Sequence, residues 1–473
     1  MNIPADFLQQ MHQLVGEEQC NQLLCALDTE SPTSIRMNFV KGIHSVNTAF
    51  VDAEVPWCKG GIYLKHRPNF TFDPLFHAGA YYVQEASSMF MDEIVRQLVT
   101  TPVTMLDLCA APGGKSTTVR AALPTGSLLF CNEPIPTRAH ILAENMSKFG
   151  HPDVIVTQNL PADYKKTGLQ FDVVLCDVPC SGEGMFRKDK ASISEWNLRN
   201  VDKCRILQRE IVQDAWSCLR PGGLLIYSTC TFNAEENEQN IAWMLSELQA
   251  SLVEVKIQKE WGITDSFLPE IVKNIYRFIP GHTKGEGLCV AVMRKICERE
   301  SNPPAKPPKK KNIKADSGQD RLPINGLTTW LQSPESFVFR QTGDILTAIP
   351  KTWSDIFDTA VSSRLKILQA GIGMAKIKGT NLIPETSLAL SACFNTEGFP
   401  CVEINDKQAI AYLRKEAMVL PPEIPCGYVV MTYKGVPLGF VKNIGQRANN
   451  LYPQEWRIKS THIPDNTETT IIQ

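Results

Sequence analysis

From about residue 85 the chain alternates short apolar runs with amphipathic ones, and this alternation restricts the fold more than any other feature. "VTMLDLC" (103–109) reads as a strand, followed by a glycine turn and "KSTTVRAAL" (115–123) as a helix. "SLLFCNE" (127–133) is the next strand, "TRAHILAENMSKFG" (137–150) a helix with a glycine stop, and "DVIVTQ" (153–158) a third strand. "FDVVLCD" (171–177) and "GGLLIYSTC" (222–230) follow, separated by a helical stretch around "CRILQREIVQDAWSCL" (204–219). Short buried strands alternating with helices build an α/β, doubly wound, mostly parallel sheet. In such sheets ligands bind beyond the carboxyl ends of the strands.

Two of those ends carry a thiol. "DVPCSGEGMFRKD" (177–189) places an acid, Cys180 and a glycine-rich turn behind one strand, and Cys230 closes another. The chain has 15 cysteines, an odd number, scattered and without a CxxC pair. The start, "MNIPADFLQQMHQ", has neither a basic leader nor an apolar core, and no apolar run approaches the roughly 20 residues of a membrane span. A cytoplasmic, reducing setting with free thiols is therefore expected, and no membrane association. Free cysteine usually serves as a small buried hydrophobe. Cys20, Cys25, Cys131, Cys218 and Cys297 are read that way, whereas Cys180 and Cys230 stand apart by position.

At 473 residues, 43% of them hydrophobic, the chain is too long for one ordinary core. "NPPAKPPKKKNIKADSG" (302–318) holds four prolines and five lysines and almost nothing apolar, so it reads as a linker. The expected division is a small α+β domain over 1–84, the α/β domain over 85–297, a Pro/Lys-rich linker over 298–319, an intermediate C-terminal domain over 320–402 and a β-rich module over 403–473. In the last, "GYVVMTYKGVPLGFVKN" reads as a hairpin with a Lys-Gly turn and "EINDKQAIAYLRKEAM" as a helix. The net charge of −2 gives no global attraction to nucleic acid, so any such role rests on local patches.

"CAAPGGKS" (109–116) resembles a phosphate loop, but Cys109 stands where that pattern has its first glycine. Pro112 also removes a backbone N–H donor. Twenty residues beyond Gly113, Glu133 ends the second strand, where doubly wound nucleoside-binding domains place an acid on the ribose hydroxyls. An adenosine-containing cofactor is therefore favoured over ATP hydrolysis.

"LDLCAAPGGKS", "DVPCSGEGMFRKD" and "YSTCTFNAEENE" resemble the signature motifs of the Nop/Sun family of S-adenosylmethionine-dependent RNA (cytosine-5) methyltransferases, and the tail resembles its bacterial RsmF-like branch. The resemblance implies a Rossmann-like class I methyltransferase domain, a PUA-like RNA-binding module, and methyl transfer to C5 of a cytidine in 16S rRNA. It implies Cys230 as the nucleophile, Cys180 as the residue for product release and Asp177 against the cytosine edge and the methyl donor. It places S-adenosylmethionine on Cys109, Ala110, Ala111, Pro112, Gly113, Gly114, Lys115, Glu133, Arg138 and Asp177. Residue chemistry alone does not order the two thiols, since both end strands facing one crevice. One departure stands out. An Asp was expected directly after Asn159 to read the adenine amino group, and the chain has Leu160. Either Asp163 substitutes, or apolar packing and backbone groups hold the adenine.

For RNA, Arg187 and Lys188 behind Cys180 are candidates for flanking phosphates. In the tail, Arg447 and Arg457 are candidates for phosphates and Tyr452 for base stacking, since cations interleaved with aromatics suit single-stranded RNA. Neither a metal nor a second subunit is expected. The rival readings are the same chemistry on tRNA and a non-catalytic assembly factor that binds RNA. A P-loop NTPase is disfavoured by Cys109 and Glu133, and DNA methylation by the lack of a large recognition insertion near the thiols.

Overall fold

The structure, a computed structural model, describes residues 3–296, 326–460 and 471–472. Cys297 and the expected linker, 298–319, lie outside the described residues. Its centre is a nine-stranded sheet. Five strands run parallel, in the spatial order Leu219–Thr229, Phe171–Asp177, Thr104–Asp107, Leu128–Asn132 and Val154–Thr157. Alternate residues face opposite sides of a strand. Met105, Leu129 and Val173 accordingly join one apolar layer, and Leu106, Phe130 and Val174 the other. Both faces are covered, which is why these strands read as near-continuous apolar runs.

The chain order reverses between Thr104–Asp107 and Phe171–Asp177, because the strands from 128 and 154 extend to one side and that from 171 returns on the other. A crevice opens at such a reversal, and here it lies between Asp107 and Asp177. The helix Gly114–Ala122 starts after Gly113, whose φ of 110° suits glycine. The helix Leu198–Cys218 brings the chain back before Leu219–Thr229. Leu288–Lys295 then adds antiparallel to Leu219–Thr229, and Ala250–Leu252 and Tyr276–Phe278 pair with its other side.

The N-terminal segment forms a helix over Ala5–Leu27, broken at Gly16 (φ 78°), and a four-stranded antiparallel sheet. From residue 326 onward lie an antiparallel sheet from Phe337–Thr342 to Asn381–Pro384 and a mixed sheet from Cys401–Glu403 to Ala448–Asn450. The second contains the hairpin Gly427–Tyr433/Val436–Asn443, closed by Lys434 and Gly435, both at positive φ. Two long-range features escape local patterning. Ile367–Ala370 pairs antiparallel with Val154–Thr157 and extends the central sheet. Ile410, Leu413, Tyr452 and Ile471 share one apolar cluster with Ile35, Leu75 and Tyr81, so the last module packs on the first domain.

The fourteen described cysteines are free. Cys20, Cys131 and Cys218 are buried as expected, but Cys25 is exposed, because it lies on the outer face of its helix.

The three parts of the chain meet at Gly150, the left-handed stop of the helix Pro136–Phe149. A Cβ there would lie 2.1 Å from the Leu390 carbonyl oxygen and 2.9 Å from Lys41 Nζ, at a φ of 83°. Gly150→Ala is expected to destabilise the protein by about 3 kcal/mol, combining backbone strain with a backbone clash. Thermal unfolding beside the wild type checks this, and an unchanged midpoint would show that the Leu390 loop moves freely.

Candidate active site

At the reversal point Asp177 ends one strand with its side chain 29% exposed. Its Oδ2 accepts from Lys115 Nζ at 2.9 Å and its Oδ1 from Ser228 Oγ at 2.7 Å. Lys115 sits in the first turn of Gly114–Ala122, so the glycine loop delivers it across the crevice. Burial pulls its ammonium pKa down, but Asp177, with Cys230 and Glu85, outweighs burial and leaves it raised.

Cys180 and Cys230 arrive from the two adjacent strands, both half-buried, with their Sγ atoms 3.2 Å apart. The strand pairing that sets Asp177 opposite Ser228 also brings the two following loops together. Cys230 is held below the ordinary thiol pKa, chiefly by the Cys180 hydrogen bond and further by Lys115, against burial and Asp177. Cys180 is pushed up by its hydrogen bond to Cys230 and by burial. Thiolate is the nucleophilic form, and at Cys230 the Lys115 cation favours it.

On the other side of the loop, Asp107 is fully buried. Its Oδ2 accepts from Ser116 Oγ at 2.7 Å, while its Oδ1 has no side-chain partner among the described residues. Burial raises its pKa to about 7. Glu133 is 2% exposed, with Oε1 accepting from the Ile135 N–H at 2.9 Å. Arg138 lies 3.5 Å from Glu133 Oε2 and donates to the Ala111 carbonyl at 2.9 Å, so it ties the glycine loop to Glu133. Asp163 is committed to its own turn, accepting from the Leu160 N–H at 3.1 Å and pairing with Lys166 at 3.3 Å. Leu160 itself is 61% exposed.

This set fits S-adenosylmethionine. A methionine zwitterion needs backbone donors at a helix start for its carboxylate and a carboxylate for its ammonium. The 109–115 loop and the buried Asp107 would supply these, and Glu133 would suit a ribose diol. Asp107 and Ser228 were not singled out from the sequence, although both stand at strand ends inside the quoted motifs.

Two expected RNA contacts are corrected. Arg187 is buried: it pairs with Glu286 at 3.0 Å and donates to the Ala26 and Gly285 carbonyls, leaving nothing for a phosphate. Tyr452 is fully buried against Tyr412 and Trp456, so it cannot stack on a base. Lys188 is partly exposed, 3.8 Å from Glu286, and Arg447 and Arg457 are exposed.

Fold and crevice together define a Rossmann-like methyltransferase. A methyltransferase homolog protein from Pyrococcus horikoshii superposes with a TM-score of 0.54 at 28% identity, over 62% of this chain and 96% of that one. NSun6 from Pyrococcus horikoshii, solved with SFG, shares the fold at a TM-score of 0.51 and 20% identity, over 62% and 99%. Three family models match in chain order: the N-terminal domain of 16S rRNA methyltransferase RsmF over 3–86, 16S rRNA methyltransferase RsmB/F over 99–294, and the methyltransferase RsmF PUA domain over 399–458. The chain is 29% identical over 422 residues to ribosomal RNA small subunit methyltransferase F of Cronobacter sakazakii, covering 85% of this chain and 84% of that protein. With the same enzyme of Pectobacterium atrosepticum it shares 28% over 486 residues, 96% of each. The chain belongs to the RsmB/F family of 16S rRNA methyltransferases, in its RsmF-like branch, and its cofactor is S-adenosylmethionine.

Proposed function

We propose that this chain transfers a methyl group to C5 of a cytidine in 16S rRNA, with Cys230 as nucleophile, Cys180 as the base for release and Asp177 as the acid on the cytosine edge. The observation that carries the reading is the thiol pair, 3.2 Å apart, beside the Asp177–Lys115 ion pair.

Cytosine C5 is a weak nucleophile in an aromatic, electron-poor ring. The Cys230 thiolate adds to C6, forming an S–C6 bond and breaking the C5–C6 π bond. Asp177 stabilises the proton that N3 gains, which draws charge away from C6. C5 then has the enamine character needed to accept a methyl group, which S-adenosylmethionine supplies from its sulfonium. Cys180, having given its own proton to solvent, removes the C5 proton as thiolate, the C5–C6 π bond re-forms, the S–C6 electron pair returns to Cys230, and N3 gives up the proton it gained. Covalent catalysis thus divides one hard step into two easier ones.

Cys109 to Lys115 and Glu133 would embrace the cofactor, with Arg138 positioning the loop. The exposed Leu160, together with backbone groups, would flank the adenine. Lys188, Arg447 and Arg457 remain candidates for rRNA phosphates. The domain division of the sequence and a cytoplasmic site of action belong to the same reading. Among the described residues no helix is long and apolar enough to cross a membrane.

Incubation of the protein with labelled cofactor and 16S rRNA or small subunits from a strain lacking the enzyme tests it. Nucleoside mass spectrometry should show 5-methylcytidine in 16S rRNA. Label on another base, or on tRNA alone, would reject the reading.

A further inference from the structure

Directly behind the two thiols lies a cluster of buried polar side chains with no part in the reaction as described. Glu183 and Glu236 are both fully buried, and among the described residues neither forms an ion pair. Glu183 follows Cys180 by three residues, yet its Oε2 accepts the backbone N–H of Phe232 at 2.6 Å and of Asn233 at 2.9 Å, on the Cys230 loop. Glu236 belongs to the Cys230 loop, yet it accepts the backbone N–H of Ser181, next to Cys180, at 3.1 Å. Each carboxylate therefore grows from one thiol loop and holds the backbone of the other.

The arrangement is closed at every corner. Asn233 Nδ2 donates to Glu183 Oε1 at 2.9 Å and to Glu236 Oε1 at 2.8 Å, joining the two acids. Gln208 Nε2 ties Glu236 Oε2 (2.6 Å) and the Pro179 carbonyl (2.8 Å) to the helix Leu198–Cys218. Trp196 Nε1 donates to Glu183 Oε1 at 2.9 Å. The loops also touch directly, with the Gly184 N–H donating to the Cys230 carbonyl at 2.8 Å.

Burying a carboxylate without a cation is unfavourable, and apolar side chains of similar volume often hold a fold equally well. What carboxylates add is directional hold on specific N–H groups. Here those groups flank the two sulfurs that must act in turn on neighbouring carbons of one base. A misplacement of about 1 Å in such a site can cost on the order of 10²-fold in rate.

We propose that Glu183 and Glu236 are positioning residues of the reaction, a reciprocal clasp that sets the spacing of the Cys180 and Cys230 thiols. The inference rests on the two-thiol reading above and adds to it the groups that keep the thiols in register.

The test has an arm without RNA and an arm with it. In the first, diamide oxidises the full-length protein: the two thiols lose two hydrogens to the azo group and join as a disulfide, counted as the linked Cys180–Cys230 peptide by mass spectrometry. In Glu183→Gln and Glu236→Gln this disulfide should form about tenfold or more slowly, with cofactor affinity within about threefold of wild type. In the second arm, kcat on 16S rRNA should fall on the order of 10²-fold, with KM within about threefold. Where a Gln variant fails to fold, Asn233→Ala decides, because it removes the shared donor and leaves both acids and their backbone partners. It should slow both arms in the same direction. A folded variant with a wild-type rate in either arm, or a loss carried wholly by KM or cofactor affinity, would overturn the clasp. If the wild type makes no 5-methylcytidine while the variants still lose rapid disulfide formation, the substrate reading fails and the spacing role of the two acids stands.

Discussion

Cys180→Ala is expected to leave the protein fastened to RNA, and Cys230→Ala to silence it. With Cys230 intact, the thiolate still adds to C6 and C5 still accepts its methyl group. Without the Cys180 sulfur, 3.2 Å away, no base removes the C5 proton and the S–C6 bond does not break. A slow-migrating protein–RNA band should therefore appear on a denaturing gel with Cys180→Ala and cofactor, and be absent without cofactor. Cys230→Ala should show no band, and its methyl incorporation should fall on the order of 10⁴-fold or more, the usual scale for loss of a covalent nucleophile. The Lys115 cation, which favours a thiolate at Cys230, agrees with this assignment. A band with Cys230→Ala instead would exchange the two roles and keep the reaction class. No band with either, together with no incorporation by the wild type, would favour an RNA-binding assembly factor.

Lys115→Met should lower the methylation rate near pH 7 on the order of 10²-fold and move the rising limb of its pH profile to higher pH. The sign follows from the charges around Cys230. Its reactive form is the thiolate, which the Cys180 hydrogen bond and the Lys115 cation favour, while burial, Asp177 and Glu236 oppose it. Removing the cation leaves the two carboxylates uncompensated, so the thiol gives up its proton only at higher pH. The variant should therefore regain part of its activity in base. Asp177 also loses one of its two donors, keeping Ser228. Rate–pH profiles under saturating cofactor check this, and a deficit equal at all pH values would place Lys115 on the cofactor and not on the thiol.

Much of this was legible in the chain because it depends on local order. A period of two or 3.6 residues, a glycine at a helix start or stop and an acid at a strand end are set by neighbours within a few positions. They led to the parallel sheet, the Lys434–Gly435 hairpin, the loop before Gly114–Ala122 and the two thiols at strand ends. Even Asp107 and Ser228 carried a signal of that kind.

Other facts depended on residues far away in the chain. Arg187 in "MFRKD" has the look of a solvent cation, but Glu286, 99 positions on, and the end of the first helix enclose it. Tyr452 sits among basic residues, yet packing of the last module places it in a core shared with Leu75 and Tyr81. The Lys115 cation that favours a thiolate at Cys230, invisible to residue chemistry, arrives from across the crevice. Nothing in the local order marks Glu183 and Glu236, whose hold on the backbone exists only where the two loops meet. The sequence by itself determined the elements, their order and which end of the sheet holds the chemistry, because these follow from local periodicity and turn geometry. Only the tertiary structure decided which charged and aromatic side chains are free for RNA and which are locked inside, because burial depends on what the rest of the chain stacks above a residue.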